Sequence, residues 1–419
     1  MTPASPTPLS PGEIPAFALT QRINVPYEYS VHFTQRVFDP RNPLFAEIVT
    51  SDNGPSPRRI LLYLDSGVCA ASPALRTDIE AYIHAHADRL ELVASPRVLA
   101  GGEQVKNGWR RVQDVMTDIG DHKLCRQSYV VAVGGGAVLD MVGFAASLVH
   151  RGIRLVRIPT TVLAQNDAGI GVKTGMNAHR QKNFVGTFAP PYAVINDFEF
   201  LDLLPQKEWV AGIAEAFKIA LIRDAEFFDF LCKSARSLRR RDAAAMHHLV
   251  KHCARLHLDH IREGGDPFES GSVRPLDFGH WSAHKLELMS DYTVGHGQAV
   301  SIGIALDTLV AARHHLLQPA DVDRIFIALQ QSGLPTWHYL LDQKDKAGLP
   351  AILAGLEEFR EHLGGRLSIT LPDGLGHRIE VDEMDIEMIA QCIDELRSRG
   401  TSPDDQAALD LVDFDGSLS

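Results

Sequence analysis

The run Ser128–Val133 passes directly into Gly134, Gly135 and Gly136, and it is the third of four short apolar runs that alternate with helical patterns. The others are Arg59–Asp65, Leu90–Val93 and Leu155–Pro159. Strand, loop and helix in this alternation argue for a mostly parallel sheet covered by helices on both faces. From Lys207 onward the pattern changes. Long amphipathic helices are expected over 208–222, 225–238, 242–263 and 297–314, and strand signals nearly vanish until Leu367–Thr370. The break near Leu204-Pro205 divides an α/β domain, 21–205, from a mainly helical domain, 206–400. A flexible lead-in is expected over 1–20 and an acidic flexible tail over 401–419. A seam between two such domains is a common place for a ligand cleft.

The chain is long enough for both cores, with 419 residues of which 45% are hydrophobic and 22% charged. A net charge of -12 and a pI of about 5.9 argue against nucleic acid or an anionic membrane as partner. Five cysteines without CxxC spacing fit a reducing, cytoplasmic compartment. No apolar run approaches the length of a membrane span.

Several residues carry chemistry with more than one reading. Gly134, Gly135 and Gly136, with Asp140 behind them, stand between a strand and a helix. They either admit a pyrophosphate to the helix N-terminus, with its N–H donors and positive dipole, or form a tight turn. Asp65, ending an earlier strand, is either a ribose contact or a turn former. Glu103 and Lys106 follow Gly101-Gly102, at what could be a plain helix entry. Thr160 and Thr161 lie in a polar turn that ends at Asp167. Lys173, Lys182 and Asn183 then fall in a Gly-rich segment expected to be a loop, where converging lysines offer an anion pocket for a phosphorylated substrate. Glu215 sits in an otherwise apolar helical stretch, so its carboxylate needs either a metal or nearby Lys218. His280 and His284 share a helix face and His296 follows. Two of these imidazoles with a glutamate from another element make a divalent-metal site of the catalytic kind, with a position left for substrate. Trp281 reads as core.

In chain order these residues form the strings GGG-x-x-x-D, RG-x-R…PTT-x-LAQ-x-D, G-x-K, KN, AE-x-x-K and FGH-x-x-x-H…H. On them, from Arg59 to Asp385, the chain resembles the sugar-phosphate cyclase family, whose best-known member is 3-dehydroquinate synthase. The resemblance implies a Rossmann-like, parallel-sheet NAD-binding domain, a mainly α-helical metal-binding domain, a Zn²⁺ or Co²⁺ ion, and a homodimer. Glu215, His280 and His296 match the metal ligands. Asp65, Glu103, Lys106, Gly135, Gly136, Asp140, Thr160 and Thr161 fall where the family contacts NAD. Asp167, Lys173, Lys182, Asn183, Lys218 and His284 match the substrate pocket. Arg151 matches an arginine that reaches the substrate phosphate across the dimer interface. Arg360 stands where dehydroquinate synthases carry a phosphate-binding lysine, and its planar fork also suits phosphate.

One departure bears on the substrate. Dehydroquinate synthases read Arg-x-x-x-Asn ahead of the first metal histidine, and those residues help hold a substrate carboxylate. Here Val273 and Asp277 stand at the two positions, after a different loop, Glu263–Ser272. A carboxylate facing another in a closed site is costly unless one is protonated, whereas an aspartate accepts hydrogen bonds from sugar hydroxyls. The expected substrate is therefore a sugar phosphate without a carboxylate, sedoheptulose 7-phosphate first, giving a valiolone-type C7 cyclitol, and Asp277 joins the catalytic set. The strings DFGHWSAHKLE and FREHLGG are most similar to the non-shikimate branches, valiolone-synthase-type and EboD-like. Competing readings are 3-dehydroquinate synthase itself, a metal-dependent alcohol or glycerol dehydrogenase, and a degenerate scaffold protein.

Overall fold

The computed structural model describes residues 18–401 except 53, 55, 56, 180, 265–267 and 269–273. The start of the lead-in, nearly all of the tail, Val273 and most of the loop 263–272 therefore lie outside the described residues. The first half contains β1 (Ser30–Thr34), β2 (Arg58–Asp65), β3 (Leu90–Leu92), β4 (Arg97–Leu99), β5 (Tyr129–Gly134) and β6 (Arg154–Pro159). The pair β7 (Lys173–Ala178) and β8 (Gln181–Phe188) follows, then β9 (Ala193–Asp197). One parallel sheet runs β1-β9-β6-β5-β2-β3, with β4 pairing the end of β2. Strands β5 and β9 are buried along their whole length, as central strands covered on both faces must be. Phe45, Ile79 and Tyr82 cover one face, and Val112, Met141 and Val142 the other. Strands β1, β4 and β9 add to those expected from sequence. With 5, 3 and 5 residues they are too short to establish a period.

Helix α1 (Gly136–Leu148) leaves β5 directly. The second half is helical: α2 (Gln206–Ala211), α3 (Ile213–Arg223), α4 (Ala243–Glu263), α5 (His280–Met289), α6 (His296–Arg313) and α7 (Ala354–His362) are the helices that matter to the site. They pack around one large core that includes Trp209, Phe217, Leu306 and, as expected, Trp281. A small antiparallel pair, β10 (Ile369–Pro372) and β11 (Arg378–Val381), lies beside the turn Pro275–Asp277.

Two expectations are corrected. The helix expected over 208–222 is interrupted at Gly212, whose carbonyl accepts a hydrogen bond from Asn166 Nδ2 at 2.8 Å. A Cβ at Gly212 would stand 2.4 Å from the Leu163 nitrogen, so the close approach of the preceding turn requires glycine there. The Gly-rich segment with Lys173, Lys182 and Asn183 is not a loop but the antiparallel hairpin β7–β8. Its glycines serve a close crossing of backbones: Gly175 pairs with Gly186, where a Cβ would lie 2.5 Å from the Thr174 carbonyl.

Candidate active site

The carboxyl ends of β2, β5 and β6 open onto a cavity of about 1190 Å³ between the sheet and the helical half, the usual ligand position in parallel sheets. Gly135 is the N-cap of α1 and no side chain caps that helix, so the N–H groups of Gly136 and Ala137 remain available where they line the cavity. This suits a pyrophosphate. Asp65, Glu103, Lys106, Asp140, Thr160 and Thr161 line the same region. Asp65 caps the next helix, accepting from the Gly67 nitrogen at 2.7 Å, and its other oxygen faces the Gly135 nitrogen at 3.5 Å. Lys106 is buried. Its ammonium donates to Asp140 at 2.7 Å and to the Asn183 side chain, tying the hairpin to this region.

On the helical side three side chains converge. Glu215 on α3 is fully buried, and His280 and His296 are the first residues of α5 and α6. Their Nε2 atoms lie 3.8 and 3.3 Å from Glu215 Oε1. Close helix crossings produce this meeting. A Cβ at Gly297 would stand 2.0 Å from the Ala211 carbonyl, and one at Gly303 2.0 Å from that of Gly279. Both imidazoles are aimed from behind: the Nδ1 of His280 bonds the Phe278 carbonyl at 3.0 Å, and that of His296 bonds Glu287 at 3.0 Å. With Nδ1–H donated, His280 Nε2 presents a lone pair. Against burial, Glu287 and Glu215 on its two nitrogens raise the His296 imidazole to about 9, so an ion would take the place of its Nε2 proton. Two such nitrogens and a buried carboxylate oxygen, mutually within 4.8 Å, fit a divalent ion of the zinc or cobalt kind.

The surrounding charges are strongly coupled. Lys218 Nζ lies 2.5 Å from Glu215 and 3.9 Å from Asp167, and His257 Nδ1 lies 2.7 Å from Asp167. Burial opposes ionisation of Asp167, yet Lys218 and His257 hold it well below the usual carboxylate range. Against the same opposition, Lys218 holds Glu215 down to about 2, and Asp167 and Glu215 keep the Lys218 ammonium charged. Burial, then His280 and Lys182, keep His284 neutral. Asp167 itself sits in a single π-turn, Ala164–Ala168, a form often found at functional sites. Buried Arg157 donates to the carbonyls of Gly169, Gly171 and Lys173 and fixes the chain beyond that turn.

The model of the 3-dehydroquinate synthase N-terminal domain matches residues 97–211, and that of its C-terminal domain matches 212–353. The chain belongs to the 3-dehydroquinate synthase-like family of sugar-phosphate cyclases. A 3-dehydroquinate synthase of Sulfurovum sp. (strain NBC37-1) is 33% identical over 323 residues, 74% of this chain and 85% of that protein. Among solved structures, a 2-epi-5-epi-valiolone synthase from Streptomyces hygroscopicus subsp. jinggangensis 5008, with NAD+ and Zn2+ bound, is 28% identical with a TM-score of 0.80. That match covers 91% of this chain and all (100%) of the other. A 2-deoxy-scyllo-inosose synthase, 22% identical over 87% of this chain and 96% of that one with a TM-score of 0.68, shares the fold.

In this cyclase, Asp167, Lys173, Lys182, Asn183, Lys218, Asp277, His280, His284 and His296 line the one cavity, with Glu215 immediately behind. Two expected substrate residues do not reach it within a single chain. Arg360 on α7 is half exposed and pairs with Glu357 at 3.0 Å, while its neighbour Phe359 takes the place in the cavity wall. Arg151 is exposed beyond the end of α1, with a φ of 62°. Sequence reading passed over His257, Glu287 and Arg274, which also line the cavity. His257 is one of five histidines on α4, so nothing in the local pattern singled it out.

Behind the metal side lies Asp307, fully buried, whose two oxygens accept from Trp281 Nε1 at 2.8 Å and the Gly279 nitrogen at 3.1 Å. It pins both neighbours of His280. Burial raises its carboxyl to about 7. The substitution Asp307→Asn turns one acceptor into a donor facing an N–H. It is expected to cost about 2 kcal/mol in urea unfolding and to weaken metal uptake; a variant as stable as the parent would show the pin to be idle.

Proposed function

We propose that this protein is an NAD- and divalent-metal-dependent cyclase that converts a phosphorylated heptulose without a carboxylate, sedoheptulose 7-phosphate in the first instance, to a valiolone-type C7 cyclitol with release of phosphate. Asp277 carries the reading. It stands in the cavity wall one turn before His280, close enough to influence Lys218, His280 and Glu380. Burial first, with Asp277 among the further contributors, raises the Glu380 carboxyl. Asp277 thus already brings a carboxylate to this end of the site, in a wall that also holds Lys218 and Arg274. A substrate carboxylate would add a second, whereas hydroxyls would donate hydrogen bonds to Asp277. The likeness to the valiolone synthase supports the same choice.

The chain's residues divide the work. When bound, a divalent ion at Glu215, His280 and His296 would acidify a substrate hydroxyl, and NAD+ on the α1 side would take a hydride and later return it. Lys218 and Asp167 position the hydroxyls and water. Oxidation next to a C–H makes that proton acidic, and elimination transfers it to the departing phosphate as the C–O bond breaks. Lys173, Asn183 and neutral His284 hold that phosphate. Arg151 of a second copy, in a homodimer, completes the hold. The hydride's return, ring opening and an intramolecular aldol step then close the carbocycle.

The purified protein with NAD+, Co²⁺ and sedoheptulose 7-phosphate is expected to release phosphate without accumulating NADH, and a chelator should stop the release. Net NADH formation with a simple alcohol would instead identify a dehydrogenase. The second reading, 3-dehydroquinate synthase, is favoured by the names of the curated relatives and by Arg274 in the cavity wall. Turnover of the carboxylated heptulosonate phosphate alone would establish it.

A further inference from the structure

Glu287 on α5 is buried, and each of its oxygens has one partner. Oε1 accepts from Lys182 Nζ at 2.7 Å, and Oε2 accepts from His296 Nδ1–H at 3.0 Å. Lys182 comes from β8, 105 residues earlier in the chain, and its ammonium also lies 3.4 Å from His296 Nδ1. His284, Glu287 and His296 by themselves have the spacing of a second metal-holding group. Both oxygens of Glu287 are already committed, however, and the Lys182 ammonium stands where another cation would stand. We infer that Lys182 and Glu287 form a brace that aims His296 Nε2 at the metal, and that Lys182 is a positioning residue rather than a contact for the substrate's phosphate.

Three observations combine in this inference. The carboxylate fixes the His296 tautomer, because only Nδ1–H can donate to it while Nε2 faces Glu215. The lysine fixes the carboxylate, which would otherwise be a buried charge with a single partner. The ammonium is neutralised at close range, so binding an anion through it would first require breaking that pair. A further consequence is mechanical. The hairpin β7–β8, which carries Lys173 and Asn183 into the cavity, is tied through Lys182 to a metal ligand on the helical half.

The inference rests on Glu215, His280 and His296 holding a metal, and the experiment separates the two. The full-length protein, stripped with a chelator, is titrated with Co²⁺ alone, following dissociation constant and visible absorption, for the parent, E287Q, K182M and the double variant. Thermal unfolding of the metal-free forms controls for folding. E287Q is expected to weaken Co²⁺ binding about 10–100-fold and to alter the absorption envelope. K182M should weaken it in the same direction by a smaller factor, and the double variant should be no worse than E287Q. Metal binding in K182M that is unchanged or tighter, with a raised KM for the sugar phosphate, overturns the brace and restores Lys182 as an anion contact. If the parent takes up no Co²⁺, the metal site itself is wrong and the brace falls with it.

Discussion

His280→Ala is expected to leave the protein folded and nearly devoid of cyclase activity. The imidazole is the first side chain of α5 and faces the cavity, while the neighbouring Trp281 and Gly279 are held independently by Asp307. Its removal should therefore cost little in stability. The metal, by contrast, would keep only Glu215 and His296, and Lys218, 2.5 Å from Glu215, competes with it for that carboxylate. Lewis-acid stabilisation contributes several kcal/mol, so a fall of roughly three decades or more in kcat is the expected scale. Metal content after gel filtration, phosphate release and urea unfolding would be measured on the same preparation. A variant retaining stoichiometric metal and parental turnover would remove His280 from the ligand set. Loss of folding together with activity would instead assign the residue a structural role, and the gentler His280→Gln would then test ligation.

Much of this site was legible in the sequence because its chemistry is concentrated in short strings. The strand–glycine–helix passage at Gly134–Gly136 placed the start of α1 at the end of β5, in the cavity wall. The spacing of His280 and His284 put two imidazoles on one helix. Less visible were features that depend on chain crossing. The hairpin β7–β8 read as a loop because its glycines, which serve a close backbone approach, resemble turn signals. His257 meets Asp167 only because α4 packs against the π-turn carrying that aspartate. Arg360 was assigned by its place near the C-terminus. Its helix instead turns Phe359 inward and leaves the guanidinium with Glu357. Position along a chain fixes neither a helix's rotation nor a side chain's rotamer.

Asp277→Asn should change which substrate the enzyme accepts. In the parent, a substrate carboxylate brought to this end of the cavity meets Asp277, with Glu380 close behind it. At an effective dielectric constant of about 20, two like charges about 4 Å apart repel by about 4 kcal/mol. Lys218, held charged by Asp167, Glu215 and Asp277, offsets part of that repulsion. Relief of the remainder should raise kcat/KM for the carboxylated heptulosonate phosphate about 10–100-fold. Sedoheptulose 7-phosphate should respond in the opposite direction, because a hydroxyl's bond to an ionised acceptor is worth about 1 kcal/mol more than one to an amide. The ratio of the two specificity constants is thus expected to move by about two to three decades, and phosphate release from each substrate reads it directly. Equal losses on both would make Asp277 a general contributor to the site without a part in selection. If the parent accepts only the carboxylated sugar and the substitution impairs it, Asp277 supports that substrate, and Arg274, three residues earlier in the same wall, becomes the cation to test as its carboxylate partner.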